Sequence, residues 1–396
     1  MTIMSKVWIP ETFGDRPYAR NHFASVVLWA QQNHAFYQRF HTDISAPLPV
    51  IKRAQVQQFN DLLLNGHAAI AHTSGSISMP IKVSWDPTRS KREDQDVERL
   101  IAWYGGKLTA MKIVALATHK ANSHTLEVGS PLPEQWAFIE QQHAQYGATS
   151  LISYPTNLEQ LCHYGIEHGL SLPYVARVTA MSETFDAHMD ALLKRVFPNA
   201  VVVVTYSSVE CGIIAIRCPH NPQNYHIMAS KLGVEILNEQ DQPCTIGQLG
   251  QVVVTDYFNR HSSLIRYALG DLAEPANCPC GKIEFPAITN IAGKMRGLLR
   301  RANGSQMLFT SLSSTFRDSQ EISQFQVVQM QMHCFTINAV LRNKAECETF
   351  EARIRHRFVQ EFGPQTELLF NYMDSVPRSP GGKYFAAICA IPEAEK

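Results

Sequence analysis

Val201-Val202-Val203-Val204-Thr205-Tyr206-Ser207-Ser208-Val209-Glu210-Cys211-Gly212 is the stretch on which the fold turns. Four β-branched apolar residues in a row suit a strand buried in a sheet and are far too short for a membrane span. The strand ends in an aromatic ring, two small hydroxyls and a carboxylate. An aromatic face can meet a purine and a hard oxygen can ligate Mg²⁺. The same residues also read as a plain strand end with a solvated Glu. Upstream, Ile113–Ala117, Leu151–Tyr154 and Pro173–Thr179 read as further short strands separated by helical segments. One of these helices opens at Pro155 with the capping-box pattern Thr156-Asn157-Leu158-Glu159. Alternation of this kind predicts an α/β fold, sheets flanked by helices.

Toward the N-terminus, Phe23, Val26, Val27 and Ala30 form one apolar helix face. A second helix is expected from Asp86 as cap and Pro87 in the first turn, with Val97, Leu100, Ile101 and Tyr104 on its face before Gly105-Gly106. Toward the C-terminus the pattern changes near Gly293. Strands are expected at Phe325–Met332, Phe335–Leu341 and Glu367–Tyr372, with an amphipathic helix over 344–362 on Phe350, Ile354 and Phe358, ended by Gly363. The expected organisation is a large N-terminal domain, 1–292, and a small, mobile C-terminal α+β domain, 293–396.

Composition is that of an ordinary globular chain: 396 residues, 45% hydrophobic and 18% charged. Lys+Arg and Asp+Glu are both 35, so charge gives no reason to expect nucleic acid or an anionic membrane as partner. Met1–Arg20 lacks a basic-then-apolar leader pattern, and the chain reads as cytoplasmic. Nine cysteines, an odd number in a long chain, suggest reduced thiols or metal ligands rather than disulfide staples.

Three further segments can carry chemistry. His72-Thr73-Ser74-Gly75-Ser76-Ile77-Ser78-Met79-Pro80 combines hydroxyls and glycine in a loop able to wrap phosphate oxygens, although such clusters are also common surface turns. It is not a Walker loop, since no Gly-Lys-Ser/Thr ends it. Leu264-Ile265-Arg266-Tyr267-Ala268-Leu269-Gly270-Asp271 puts a carboxylate just after a strand and a glycine, where it can accept from both ribose hydroxyls or simply close a β-turn. Pro377-Arg378-Ser379-Pro380-Gly381-Gly382-Lys383 displays a lysine able to neutralise charge at a reacting carboxylate–phosphate centre, or one more surface ammonium.

Together, in this order and at these separations, the four segments resemble the core motifs of the adenylate-forming superfamily, which includes acyl- and aryl-CoA ligases. Within it the phenylacetate–CoA ligase-like branch is the most similar, also on Asn33–Phe40 and on Leu48-Pro49-Val50-Ile51-Lys52. The resemblance implies an ATP- and Mg²⁺-dependent ligase that activates a small carboxylic acid, an aryl acid first, as an acyl-AMP. It then passes the acyl group to CoA or to the pantetheine of an acyl carrier protein. It implies that Thr73, Ser74, Gly75 and Ser76 hold the β- and γ-phosphates, that Tyr206, followed by Ser207, stacks near adenine, and that Glu210 ligates Mg²⁺. Asp271 would bind the ribose, with Lys294 at the hinge beside it, and Lys383 would bridge the carboxylate and α-phosphate.

Several residues depart from the pattern. Ile77-Ser78 replace Thr-Gly, and Ile81 stands where Lys is common, with Lys82 adjacent. Ser207 replaces Gly, Lys294 stands for Arg, and Arg296-Gly297 replace acidic residues at the hinge. The altered hinge keeps open an enzyme that hands its adenylate to an amine or releases it. The altered phosphate loop keeps open a zinc-stabilised binding protein without catalysis.

Cys218, His226, Cys278 and Cys280 could give three thiolates and an imidazole for a closed tetrahedral zinc, with His220 as an alternative fourth ligand. The spacing C-x-C is tighter than a usual knuckle, and four unrelated residues would also account for it. The phenylacetate–CoA ligase-like resemblance, whose members often carry a C…H…C-x-C-G pattern here, adds weight to zinc. Cys162, Cys211, Cys244, Cys334, Cys347 and Cys389 are read as core or surface thiols.

Overall fold

The computed structural model describes residues 7–41, 43–72, 80–106, 113–117, 122–185, 188–294, 298–317, 319, 321–342, 347–377 and 384–391. Two compact units divide at Ile291/Ala292, within the Ala287–Lys294 strand.

The first unit is organised on one eleven-stranded sheet. Its parallel half runs Thr125–Glu127, Ile113–Ala117, Ser150–Ser153, Arg177–Met181, Val201–Ser208. Helices Leu132–Tyr146, Pro155–Glu167 and His188–Val196 supply the crossovers that parallel strands require. From Val201–Ser208 the sheet continues antiparallel through Gly212–Arg217 and Asn224–Ile227, then Ala287–Lys294. It ends on Tyr267–Ala276, Gly250–Asp256 and Leu232–Leu237. Each half has its own core. Leu151, Leu158, Leu161, Val178 and Leu193 fill the parallel half. The Pro17–Asn33 helix packs Phe23, Val26 and Val27 against Val252, Val254 and Ile265 of the antiparallel half. None of the nine cysteines is in a disulfide, and no described helix is long and apolar enough to cross a membrane.

Punctuation residues behave as their chemistry demands. Asp86 caps the Pro87–Trp103 helix, its Oδ1 accepting from Arg89 N at 2.8 Å, and the helix stops before Gly105, whose φ is +70°. The Thr156–Glu159 capping box does not form. Tyr154 occupies the cap position, and both the hydroxyl and the N–H of Thr156 donate to Glu183 instead. A carboxylate from a neighbouring loop thus outcompetes Glu159, which turns to His188 at 2.9 Å. Val201 is 43% exposed at the rim of the sheet, so only the later valines of that run are core.

The second unit holds a four-stranded sheet ordered Glu367–Tyr372, Cys334–Leu341, Ile322–Gln331, Ala387–Cys389. The central pair is antiparallel and each outer strand is parallel to its neighbour. The Cys347–Phe362 helix lays Phe350, Ile354, Phe358 and Phe362 on it. Phe358 meets the rings of Phe316, Phe335 and Phe362, with Phe335 edge-on at 5.1 Å. Phe358→Ala should therefore destabilise this unit by about 3–5 kcal/mol in a denaturant titration. Leu369→Ser, at a side chain 66% exposed, should stay within about 0.5 kcal/mol of the parent. Equal losses at the two positions would contradict the assigned core.

Candidate active site

The candidate site is built on two β-bulges. Between Tyr206 and Ser207 the register with Gly212–Arg217 slips by one residue, ending the Val201–Ser208 strand in a tight turn that carries Glu210. On Tyr267–Ala276 the register with Gly250–Asp256 shifts between Ala268 and Leu272, and Gly270 there takes φ +81°. Asp271 therefore lies within an irregular strand rather than just after one, and a bulge of this kind re-aims its side chain. The two irregularities converge: the Tyr206 hydroxyl donates to Asp271 Oδ2 at 2.8 Å across 65 residues of sequence. Burial, with the Asp271 carboxylate adding to it, holds the Tyr206 phenol well above its usual range, so it stays a donor.

Glu210 is buried and shared between two partners. Arg53 Nη1 lies 3.1 Å from its Oε1, and the Tyr267 hydroxyl approaches the same oxygen at 3.5 Å. Arg53 reaches it because the chain just before is woven beside the Asp271 strand: Ile51 N donates to Arg266 O and Ala268 N donates to Ile51 O. Arg266, inside the same motif, faces away. It has φ +50° and forks onto Glu235 with two 3.0 Å bonds, an architectural rather than a site role.

Behind the Glu210 turn lies a buried ionic cluster. Arg89, fully buried, bonds Asp256 at 2.8 Å, Glu93 at 2.9 Å and the Cys211 carbonyl. Glu93 accepts from Ile213 N at 2.8 Å and pairs with Lys231, which also meets Asp96 at 2.9 Å. Burial pushes the Glu93 carboxyl up, but Lys231 and Arg89 outweigh it and hold it below the ordinary range. Cys211 and Ile213 are thus gripped on either side of Gly212. That glycine has φ +65°, and a Cβ there would meet the Glu93 carboxylate and, at 2.6 Å, Arg89 Nη2.

Of the other residues expected at the site, Ser207 is half-buried on the bulge. Thr73, Ser74, Gly75, Ser76 and Lys383 lie outside the described residues, and Lys294 is described only as strand backbone. Arg53, Arg89 and Glu93 were not singled out from the sequence. Each acts across more than 100 residues; the local spacing of Arg89 and Glu93, four apart on one helix, reads equally as a solvated ion pair, and their burial is visible only in the fold.

A second constellation lies at the far end of the Gly212–Arg217 strand. The ligand atoms of Cys218, His226, Cys278 and Cys280 are all within 4.8 Å of one another. A tetrahedral zinc with Zn–S of about 2.3 Å has S···S edges of about 3.8 Å, so the cluster is close to the size the ion needs. His226 is prepared as a ligand. Its Nδ1–H donates to the Phe285 carbonyl at 2.8 Å, leaving Nε2 toward Cys280 Sγ at 3.6 Å. Backbone N–H groups of Lys282 and Ile283 bring the Cys280 thiol down to about 6, while burial pushes Cys278 up to about 11. His220 is exposed and outside this set.

Comparisons with known proteins agree with this architecture. The CapK C-terminal domain family matches residues 299–389. Protein CapK of Staphylococcus aureus is 24% identical over 148 residues, 36% of this chain and 32% of that protein, so the match spans about a third of the curated relative. Among solved structures, 2-hydroxyisobutyryl-CoA ligase in its postadenylation state, with a bound acyl-AMP, has a TM-score of 0.72 at 14% identity, covering 97% of this chain and 91% of that one. The o-succinylbenzoate–CoA synthetase of Bacillus subtilis with its acyl-adenylate has 0.58 at 14%, covering 79% and 66%. The fold of this chain is that of the adenylate-forming acid–CoA ligases: a large sheet-rich N-terminal region followed by a smaller C-terminal domain.

Gly212→Ala should lower stability by about 1–2 kcal/mol for the left-handed backbone alone, and by more because Glu93 and Arg89 must yield. A denaturant midpoint equal to the parent's would mean that the turn is not gripped as described.

Proposed function

We propose that the protein is an ATP-dependent acid ligase that converts a small carboxylic acid to its acyl-AMP and passes the acyl group to a thiol, CoA or a carrier-protein pantetheine. The observation that carries this reading is the Tyr206–Asp271 hydrogen bond, which joins the segments read as adenine and ribose motifs in a fold shared with ligases holding acyl-adenylates. An aryl acid is the first class to test, from the phenylacetate–CoA ligase-like motif pattern.

In this reading Asp271 accepts from the ribose hydroxyls and Tyr206, held protonated by burial, fixes that carboxylate's orientation. Thr73–Ser76 would donate to the β- and γ-phosphates. Glu210 fits Mg²⁺ as a hard oxygen ligand on a rigid turn, and the ion would supply neutralisation of phosphate charge. Lys383, on the C-terminal domain acting as a lid, would offset charge where carboxylate oxygen meets the α-phosphorus as pyrophosphate departs. Lys294 would contact the ribose at the hinge. Transfer to an amine, or release of the adenylate, is the second reading, favoured by Arg296-Gly297 at that hinge. Pyrophosphate release with and without thiol separates the two.

ATP–pyrophosphate exchange over a panel of acids tests the proposal. Lys383→Ala should lose about 10²–10³-fold of exchange with the fold intact, the scale of one preorganised charge partner. Exchange at the parental rate would remove this lysine from the mechanism.

Cys218, His226, Cys278 and Cys280 are proposed as a structural zinc site, all four positions filled by protein and none open to substrate. Because such binding energy is folding energy, Cys280→Ser should lower zinc content and thermal stability together. Metal analysis finding no zinc in chelator-free preparations of the parent would end the assignment.

A further inference from the structure

We infer that Arg53 is the counter-ion with which a divalent metal competes for Glu210, so that this arginine sets the metal affinity of the site. The inference deepens the ligase reading and rests on Glu210 being the metal ligand.

The geometry is specific. Glu210 Oε1 accepts from Arg53 Nη1 at 3.1 Å and from the Tyr267 hydroxyl at 3.5 Å. The side chains of Arg53 and Glu210 are 19% and 8% exposed, so the pair is screened little by solvent. Neither partner is free to drift. The Glu210 turn is gripped by Arg89 and Glu93. Arg53 opens the short Arg53–Gln58 helix two residues after Ile51, which is hydrogen-bonded to Arg266 and Ala268 on either side of Tyr267. A guanidinium satisfies a carboxylate at about 2.9 Å, whereas Mg²⁺ requires about 2.0–2.1 Å and pulls the lone pairs toward itself. A cation bound at this carboxylate either displaces Arg53 from Oε1 or sits beside a like charge on Oε2. In both arrangements the guanidinium opposes the metal.

Such opposition is useful in a nucleotide site. A carboxylate already neutralised by Arg53 binds free metal poorly, yet accepts a metal that arrives with the compensating charge of a triphosphate. The site would then discriminate metal–nucleotide from metal alone.

The test is a Mn²⁺ titration read by electron paramagnetic resonance, with α,β-methylene-ATP saturating, on parent, Arg53→Gln and Glu210→Gln proteins. Arg53→Gln should bind Mn²⁺ about tenfold more tightly, and without nucleotide the gain should be larger still. Glu210→Gln should weaken Mn²⁺ binding. Unchanged or weaker binding in Arg53→Gln, alongside the expected loss in Glu210→Gln, overturns the role of Arg53 and leaves the ligase reading standing. Mn²⁺ binding by Glu210→Gln equal to the parent's overturns the role of Arg53 together with the metal assignment of Glu210, because the carboxylate is then no ligand. A double-mutant cycle gives a second readout, in stability. Arg53→Gln and Glu210→Gln should be coupled in denaturant midpoint without metal, and that coupling should vanish with saturating Mg²⁺ and the nucleotide analogue. Coupling that persists undiminished contradicts the competition. If Arg53→Gln folds poorly, Arg53→Lys, which keeps charge but shortens the reach, should still show tighter Mn²⁺ than the parent.

Discussion

Arg89 is the constraint on which the candidate site depends. A guanidinium with no solvent exposure is tolerable only with its donors and charge answered, and here Asp256, Glu93 and the Cys211 carbonyl answer them. Lys231 and Asp96 extend the cluster. Apolar packing presses the Pro87–Trp103 helix onto the sheet but has no preferred direction. Hydrogen bonds do, and those to Cys211 O and Ile213 N fix the two peptides that flank Gly212. The direction in which Glu210 leaves the turn is thereby set from behind, by Arg89 and Glu93 of that helix. Removing one partner would leave the others charged and unpaired in a low dielectric, so the cluster holds as a unit or not at all.

The elements that could be read from the sequence are those whose signal is local. The helix from Pro87 announces itself by Asp86, and the Cys347–Phe362 helix by Phe350, Ile354 and Phe358 on one face. Glu367–Tyr372 has the bounds read from the sequence. Where the reading failed, a distant partner had won. Glu183 takes Thr156 from its capping box, and two bulges alter the strand register where Asp271 and Tyr206 must point. The chemistry-bearing residue types were visible in their motifs. Arg53 was not, because its meaning comes only from a contact 157 residues away.

The cysteine cluster was legible for a different reason. Residue type alone left nine cysteines and sixteen histidines to choose from, and the resemblance to a C…H…C-x-C-G pattern narrowed them to three thiols and one of two histidines. The choice of histidine needed the sheet. His226 lies on Asn224–Ile227, paired to Ile216 on one side and to Ala287 on the other, whereas His220 falls in the exposed turn before that strand.

That pairing ties the two ends of one strand to two different demands. Gly212–Arg217 begins at the turn that presents Glu210 and leads directly into Cys218. Six residues of strand put the two ends about 20 Å apart, too far for direct electrostatics between the cysteine cluster and the carboxylate at physiological salt. What can pass along the strand is register. Side chains alternate faces with a period of two, so a slip of Gly212–Arg217 by one residue would reverse the faces of the strand beside Tyr206 and break its pairing with the His226 strand. The bulge at Tyr206–Ser207 is a place where such a slip would otherwise be easy. The proposed zinc would join Cys218 to the Cys278–Cys280 segment and so pin the strand from the opposite end. Such a pin would oppose a slip at the bulge from which Tyr206 reaches Asp271.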